Sequence, residues 1–75
     1  MNKFKGYSRT ELIDCIDEWI VGQNAERNRA IMKRKIIDGL SYLAVAEEFD
    51  LSDKRITTIV RECSKVLFEH LGERG

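Results

Sequence analysis

Apolar residues recur at intervals of three and four along most of this 75-residue chain, and proline is absent from it. That spacing places side chains on one face of an α-helix, whereas the alternation in steps of two that marks a β-strand is missing. Serine or asparagine precedes each periodic segment, as is typical of helix starts. The chain is therefore predicted to be all-α, with a small and simple core, because a domain this short buries only about 60% of its unfolded surface.

These boundary signals divide the chain into an irregular N-terminal arm and four helices. Residues 1–7 form the arm, and Ser8 with Glu11 offers a capping box for the first helix. The expected caps of the later helices are Asn24, Ser41 and Ser52. The prediction is a single compact four-helix domain over residues 1–75, with helices at about 9–21, 25–38, 42–49 and 53–71.

The composition argues against several classes of protein. No apolar run approaches the ~20 residues that span a bilayer, and the first residues lack the apolar stretch of a signal peptide, so a soluble cytoplasmic protein is expected. No phosphate-binding loop, metal-ligand cluster or nucleophile with a base is found, so no catalytic residue, metal or cofactor is expected. Cys15 and Cys63 lie far apart in apolar stripes, which favours reduced, buried thiols over a disulfide or a reactive thiol.

The most informative pattern lies in residues 39–61. Two helices joined by three residues must cross steeply, and Ala46 is small enough to let the second helix approach the first. Such a helix-turn-helix, at about residues 41–62, projects one helix end from the protein surface, so that it can enter the major groove of DNA. A generic helical hairpin shares the pattern and stays an alternative. The inward apolar stripe predicted for the last helix consists of Ile56, Ile59, Val60, Cys63, Leu67 and Leu71. The opposite face carries Lys54, Thr57, Thr58, Arg61 and Lys65.

Four short segments stand in a fixed order between residues 27 and 67. They are Arg27-Asn28-Arg29-Ala30-Ile31-Met32, Gly39-Leu40-Ser41, Val45-Ala46-Glu47-Glu48-Phe49-Asp50-Leu51-Ser52 and Arg55-Ile56. This series resembles the carboxy-terminal promoter-reading domain of bacterial sigma factors, in which a helix-turn-helix enters the major groove. The resemblance implies that Asp53, Lys54, Thr57 and Thr58 face the bases. Sigma factors usually carry basic and amide side chains where this chain has Asp53, Thr57 and Thr58, so its DNA target should differ from theirs.

The charge distribution limits where DNA can bind. Thirteen basic and thirteen acidic side chains give a net charge of zero, although phosphate neutralisation supplies much of the affinity of most DNA-binding proteins. The predicted base-reading residues are Asp53, Lys54, Thr57, Thr58 and Arg61. The predicted phosphate contacts are Arg27, Arg29, Lys33, Arg34, Arg55 and Lys65. The basic side chains of the second helix could instead pair with the acidic first helix, which carries Asp14, Asp17 and Glu18.

The remaining expectations concern partners. The chain has no room for the sigma domains that grip polymerase, so the resemblance implies a free-standing regulator of bacterial or phage origin that binds double-stranded DNA. Val66 and Phe68 fall outside the inward stripe of the last helix, and such surplus apolar surface usually meets something. The candidates are Phe4 or Tyr7 of the arm, the first helix, or a second copy in a homodimer. The alternative function is an interaction module that docks on RNA polymerase or another protein without binding DNA.

Overall fold

The helices of the computed structural model follow the predicted order. The structure describes residue 4 and residues 6–74, with the side chains of residues 4 and 6–71. Its elements are α1 (Arg9–Trp19), α2 (Ala25–Met32), a π-helical segment (Lys33–Ile37) that continues α2, α3 (Tyr42–Phe49) and α4 (Asp53–Arg74). The prediction of an all-α, four-helix fold is confirmed. The rest of the predicted arm, residues 1–3 and 5, lies outside the described residues.

Serine side chains start three of the helices as predicted. The Ser8 hydroxyl accepts a hydrogen bond from the Glu11 amide, and the Ser8 amide donates to the Glu11 carboxylate, both at 3.1 Å, which completes the capping box. Ser41 Oγ accepts from the Ala44 amide at 3.1 Å, and Ser52 Oγ from the Arg55 amide at 3.0 Å. The predicted side-chain cap at Asn24 is wrong. Asn24 stands at the N-cap position in a left-handed conformation (φ 62°), and its side chain makes no capping bond.

The ends of α1 and α4 differ from the predicted ends. α1 stops at Trp19 instead of residue 21, because Ile20 turns into an extended conformation that buries its side chain in the core. The Ile20 carbonyl accepts a hydrogen bond of 2.7 Å from the Arg29 guanidinium, so this helix end is tied to α2. α4 continues to Arg74 instead of ending at residue 71. A helix can accommodate a glycine such as Gly72 at a cost of about 1 kcal/mol.

The π-helical segment was not predicted, since the second helix was expected to be α-helical over residues 25–38. Ile31 and Met32 are fully buried, and Ile36 and Ile37, five residues further on, also pack against the core. Residues five apart lie about 140° apart around an α-helix of ~3.6 residues per turn. Hydrogen bonding to the fifth residue back, as from the Asp38 amide to the Lys33 carbonyl at 3.1 Å, brings the two pairs closer to one face.

All four helices contribute to one hydrophobic core. The largest fully buried side chains are Ile16, Ile31, Met32, Ile56, Leu67, Leu71, Val45 and Cys15. The predicted inward stripe of α4 is confirmed, because its members Ile56, Ile59, Val60, Cys63, Leu67 and Leu71 are all buried. None of the helices within the described residues combines the length and the apolar character that crossing a bilayer requires.

Stacked rings hold the end of α1 against the end of α4. The Trp19 indole and the His70 imidazole lie nearly parallel, with 3.5 Å between ring centres and 4° between ring planes. Trp19 is half-buried and packs against the core. This contact joins the first helix of the chain to the last one.

Leu67→Ala should destabilise the protein by about 2–5 kcal/mol, because Leu67 is fully buried and its removal leaves a cavity in the core. Leu43→Ala is the matched control, since Leu43 is 62% exposed on α3 and its truncation should cost less than about 0.5 kcal/mol. Urea unfolding followed by circular dichroism measures both. Equal destabilisation by the two substitutions would contradict the described packing.

Both thiols should be unreactive in the folded protein, because Cys15 and Cys63 are buried free cysteines. Burial raises the pKa of Cys63, and the nearby charge of Glu62 raises it further, so the reactive thiolate is disfavoured at neutral pH. Reaction with a disulfide reagent at about pH 7 measures this. A Val21→Cys variant supplies a control thiol at a position that is 67% exposed. Native Cys15 and Cys63 reacting as fast as that control would refute the assignment.

Candidate nucleic-acid interface

A three-residue link connects α3 to α4 and fixes how the two helices meet. Asp50 takes a left-handed conformation (φ 54°), which ends α3 and lets the Leu51 amide donate to the Ala46 carbonyl at 3.0 Å. Ala46 is 4% exposed, as expected for the small residue at the helix contact. Ser52 then caps α4. The link between α3 and α4 therefore consists of Asp50, Leu51 and Ser52 alone.

The predicted base-reading residues all lie on the first part of α4. Their positions span about 12 Å of the helix axis, at ~1.5 Å per residue. Asp53, Lys54 and Arg61 are exposed, whereas Thr57 and Thr58 are half-buried. Each threonine hydroxyl donates to the carbonyl four residues back, Thr57 to Asp53 at 2.8 Å and Thr58 to Lys54 at 3.1 Å. The structure thus places the set on one rigid element.

Several of the predicted phosphate-contacting residues make contacts with other residues of the same chain. Lys33 forms an ion pair with Asp17 of α1 at 2.8 Å, so the alternative of pairing with the acidic first helix is realised at this residue. Arg29 donates to the Ile20 carbonyl. Arg27 donates to its neighbour Asn28 at 3.2 and 3.3 Å. Lys33 and Arg29 thus join the second helix to α1 and its end, whereas the Arg27 contact lies within α2. An exposed ion pair such as Lys33–Asp17 contributes only about 0–1 kcal/mol.

Arg34 links the π-helical segment to α3. Its guanidinium contacts the Asp38 carboxylate at 2.8 Å and the Glu48 carboxylate at 2.9 Å. The hydrogen bonds to Asp38 and Glu48 and the charges of both carboxylates raise the pKa of Arg34 above its ordinary value. Two carboxylates neutralise this arginine, which therefore adds little positive charge to the surface around it.

The cations of α4 differ from those of the second helix. Within the part of the chain that the structure describes, no ion pair involves Lys54, Arg55, Arg61 or Lys65. The sequence places its densest positive charge in residues 23–39. In the folded protein, Lys33 and Arg34 of that segment pair with carboxylates. These four cations of α4 therefore keep their positive charge, although the same helix also carries Asp53, Glu62 and Glu69.

A groove with a volume of about 630 Å³ runs beside α4. Its lining residues come from the arm, the π-helical segment, the start of α3 and α4: Phe4, Lys35, Ile36, Gly39, Tyr42, Thr57, Val60, Arg61, Ser64, Lys65 and Phe68. Three of them are cations, Lys35, Arg61 and Lys65, and no carboxylate is among them. The charged side chains that line the groove are therefore all positive.

Lys35 and Tyr42 were not among the predicted site residues. The Lys35 ammonium lies 4.6 Å from the centre of the Tyr42 ring, a cation–π contact that holds the lysine at the groove. The local excess of positive charge around Lys35 was visible in the sequence. Its position in the same groove as Arg61 and Lys65 depends on how the π-helical segment packs in the fold, which the sequence pattern did not reveal.

The surplus apolar side chains of α4 are partly accounted for. The Phe4 ring stacks on the Phe68 ring with 4.5 Å between centres and 7° between planes, and Phe4 is itself 5% exposed. Among the candidates for covering Phe68, the arm is the one that does so. Val66 is half-buried. A role for Val66 and Phe68 as a dimer or partner surface stays a prediction.

The chain matches no protein-family model, no curated protein and no solved structure. The resemblance to the sigma-factor domain consequently rests on the ordered segments between residues 27 and 67 alone.

Ser52→Ala should destabilise the protein by about 1 kcal/mol and fray the first turn of α4, because it removes the acceptor of the Arg55 amide. Amide hydrogen exchange should accelerate at the start of α4 more than at Leu67 in the same helix. Ser64→Ala makes the same chemical change in the middle of α4 and should cost less than the cap substitution. Equal effects of the two substitutions on exchange would show that Ser52 does not set the start of the helix.

Proposed function

We propose that this protein is a sequence-specific, double-stranded-DNA-binding regulator of transcription. The observation that carries the proposal is the groove beside α4, where Lys35, Arg61 and Lys65 converge without a carboxylate. Cations without a carboxylate partner beside an exposed helix favour contact with the phosphates of a DNA duplex. The sigma-like order of segments between residues 27 and 67 supports the same function.

In the proposed complex, α3 and α4 act as a helix-turn-helix, and the start of α4 enters the major groove. Lys54 and Arg61 can donate to guanine, and Asp53 can accept from the amino group of cytosine. Lys65 and Lys35 line the groove and can contact phosphate oxygens at the edge of the duplex. The Tyr42 hydroxyl is a third group suited to a phosphate.

The internal ion pairs predict the strength of this binding. Lys33 and Arg34 already pair with carboxylates, and the net charge of the chain is zero. Few cations remain for phosphate, so the proposed binding is weak and strongly dependent on salt. A regulator of this kind, of bacterial or phage origin, would act in the cytoplasm without a cofactor and without catalysing a reaction.

A second candidate function is a module that docks on RNA polymerase or on another copy of this chain. The engagement of Arg29, Lys33 and Arg34 in internal contacts favours it, because these residues were expected to hold DNA. Such a module would use apolar surface near Val66 and would not depend on Lys54 or Arg61.

Titration of a labelled random duplex, followed by fluorescence anisotropy, tests the proposed function. A protein with about four phosphate contacts should bind roughly 150-fold more weakly at about 200 mM than at about 50 mM salt. The double substitution Lys54→Glu with Arg61→Glu should abolish binding at the lower salt and leave the helical circular dichroism unchanged, since both side chains are exposed.

The control for that titration compares two single charge reversals. Arg61→Glu should weaken binding by about tenfold or more, as expected for the loss of a charged contact to DNA. Arg9→Glu makes the same change at an exposed residue of α1 and should have less than about a threefold effect. Full-strength binding by the double variant would refute the assigned face. Absence of binding by the natural chain would favour the docking module.

A further inference from the structure

The hydroxyl groups of the two threonines on the proposed reading face both donate hydrogen bonds to backbone carbonyls of the protein. Thr57 Oγ1 donates to the Asp53 carbonyl at 2.8 Å, and Thr58 Oγ1 donates to the Lys54 carbonyl at 3.1 Å. A hydroxyl carries a single hydrogen but two acceptor lone pairs. Towards an incoming ligand, each threonine therefore offers an acceptor oxygen and a methyl group, and no donor.

Base edges in the major groove differ in how well they suit such a side chain. The hydrogen-bond donors there are the N6 amino group of adenine and the N4 amino group of cytosine, and thymine alone carries a methyl group. An A·T pair presents an amino donor and a methyl group together. A G·C pair presents an amino donor without a methyl group. Both kinds of pair also carry two acceptors that a threonine without a free hydrogen leaves unused, so the methyl group is what distinguishes them for such a side chain.

We propose that Thr57 and Thr58 read A·T base pairs, with their hydroxyl oxygens accepting from adenine N6 and their methyl groups contacting the thymine methyl. This inference rests on the proposed DNA binding and adds the identity of the bases. Guanine is left to Lys54 and Arg61, the nearby side chains that carry free donors.

Asp53 does not add to this preference, because its exposed carboxylate can accept from the amino group of cytosine as well as from that of adenine. The preference therefore rests on Thr57 and Thr58. The hydrogen bonds of both threonines lie within α4 itself, and they exist before any DNA arrives. The preference is therefore built into the free protein and needs no rearrangement on binding.

The experiment begins with selection of duplexes from a random pool by the natural chain. In the selected duplex, each adenine is replaced in turn by purine, which lacks the N6 amino group, and each thymine by deoxyuridine, which lacks the methyl group. Affinities are measured by fluorescence anisotropy. At the contacted pair, we expect loss of the amino group to weaken binding about tenfold and loss of the methyl group about fourfold.

Paired substitutions assign these losses to the two threonines. Thr57→Val and Thr58→Val keep the shape but remove the hydroxyl, so they should erase sensitivity to the purine replacement. Thr57→Ser and Thr58→Ser keep the hydroxyl but remove the methyl group, so they should erase sensitivity to deoxyuridine. Thr10→Val and Thr10→Ser, at the exposed third threonine of the chain, are the matched controls and should change neither sensitivity.

The outcomes separate the inference from the proposed function. A selected site without an A·T pair, or a site whose sensitivities persist in both pairs of threonine variants, overturns the inference while DNA binding stands. Failure of the natural chain to bind any duplex at about 50 mM salt overturns the proposed function and this inference with it.

Discussion

The fold depends on the buried stripe of α4. From Ile56 to Leu71, one side of this helix is buried, and α4 packs against α1, α2 and α3, so the position of each of these helices depends on it. The same helix begins with exposed polar residues, ahead of the point at which the stripe starts. A single rigid element therefore carries both the core and the proposed reading face. Side chains on such an element hold their geometry better than side chains on a loop.

Charge is segregated rather than absent in this protein. Carboxylates of α1, α3 and the end of the π-helical segment neutralise Lys33 and Arg34, and these contacts join neighbouring helices. Lys35, Arg61 and Lys65 are left facing one groove. A net charge of zero is thus compatible with a groove whose lining is positively charged, because no carboxylate is among its lining residues.

Local signals made most of the fold predictable, and tertiary packing accounts for the rest. Serine caps and the three- and four-residue spacing were enough to locate α3, the start of α4 and its inward stripe. The π-helical segment was not predictable from local signals, because it depends on tertiary packing. It brings Ile36 and Ile37 to the side of the helix on which Ile31 contacts the core. Helix periodicity placed Lys54, Thr57, Thr58 and Arg61 on one outward face, and the resemblance to the sigma-factor domain added Asp53. The position of Lys35 beside the same groove as Arg61 depends on contacts between segments that are distant in the sequence.

The Trp19–His70 stack has a consequence for observing this molecule in solution. The chain contains one tryptophan, so its fluorescence has a single source, located where α1 meets the end of α4. Circular dichroism, in contrast, averages over every helix. Tryptophan emission therefore reports the separation of α1 from the end of α4. An unfolding transition in emission that precedes the transition in circular dichroism would reveal that α3 and the start of α4 can stay folded after α1 has detached.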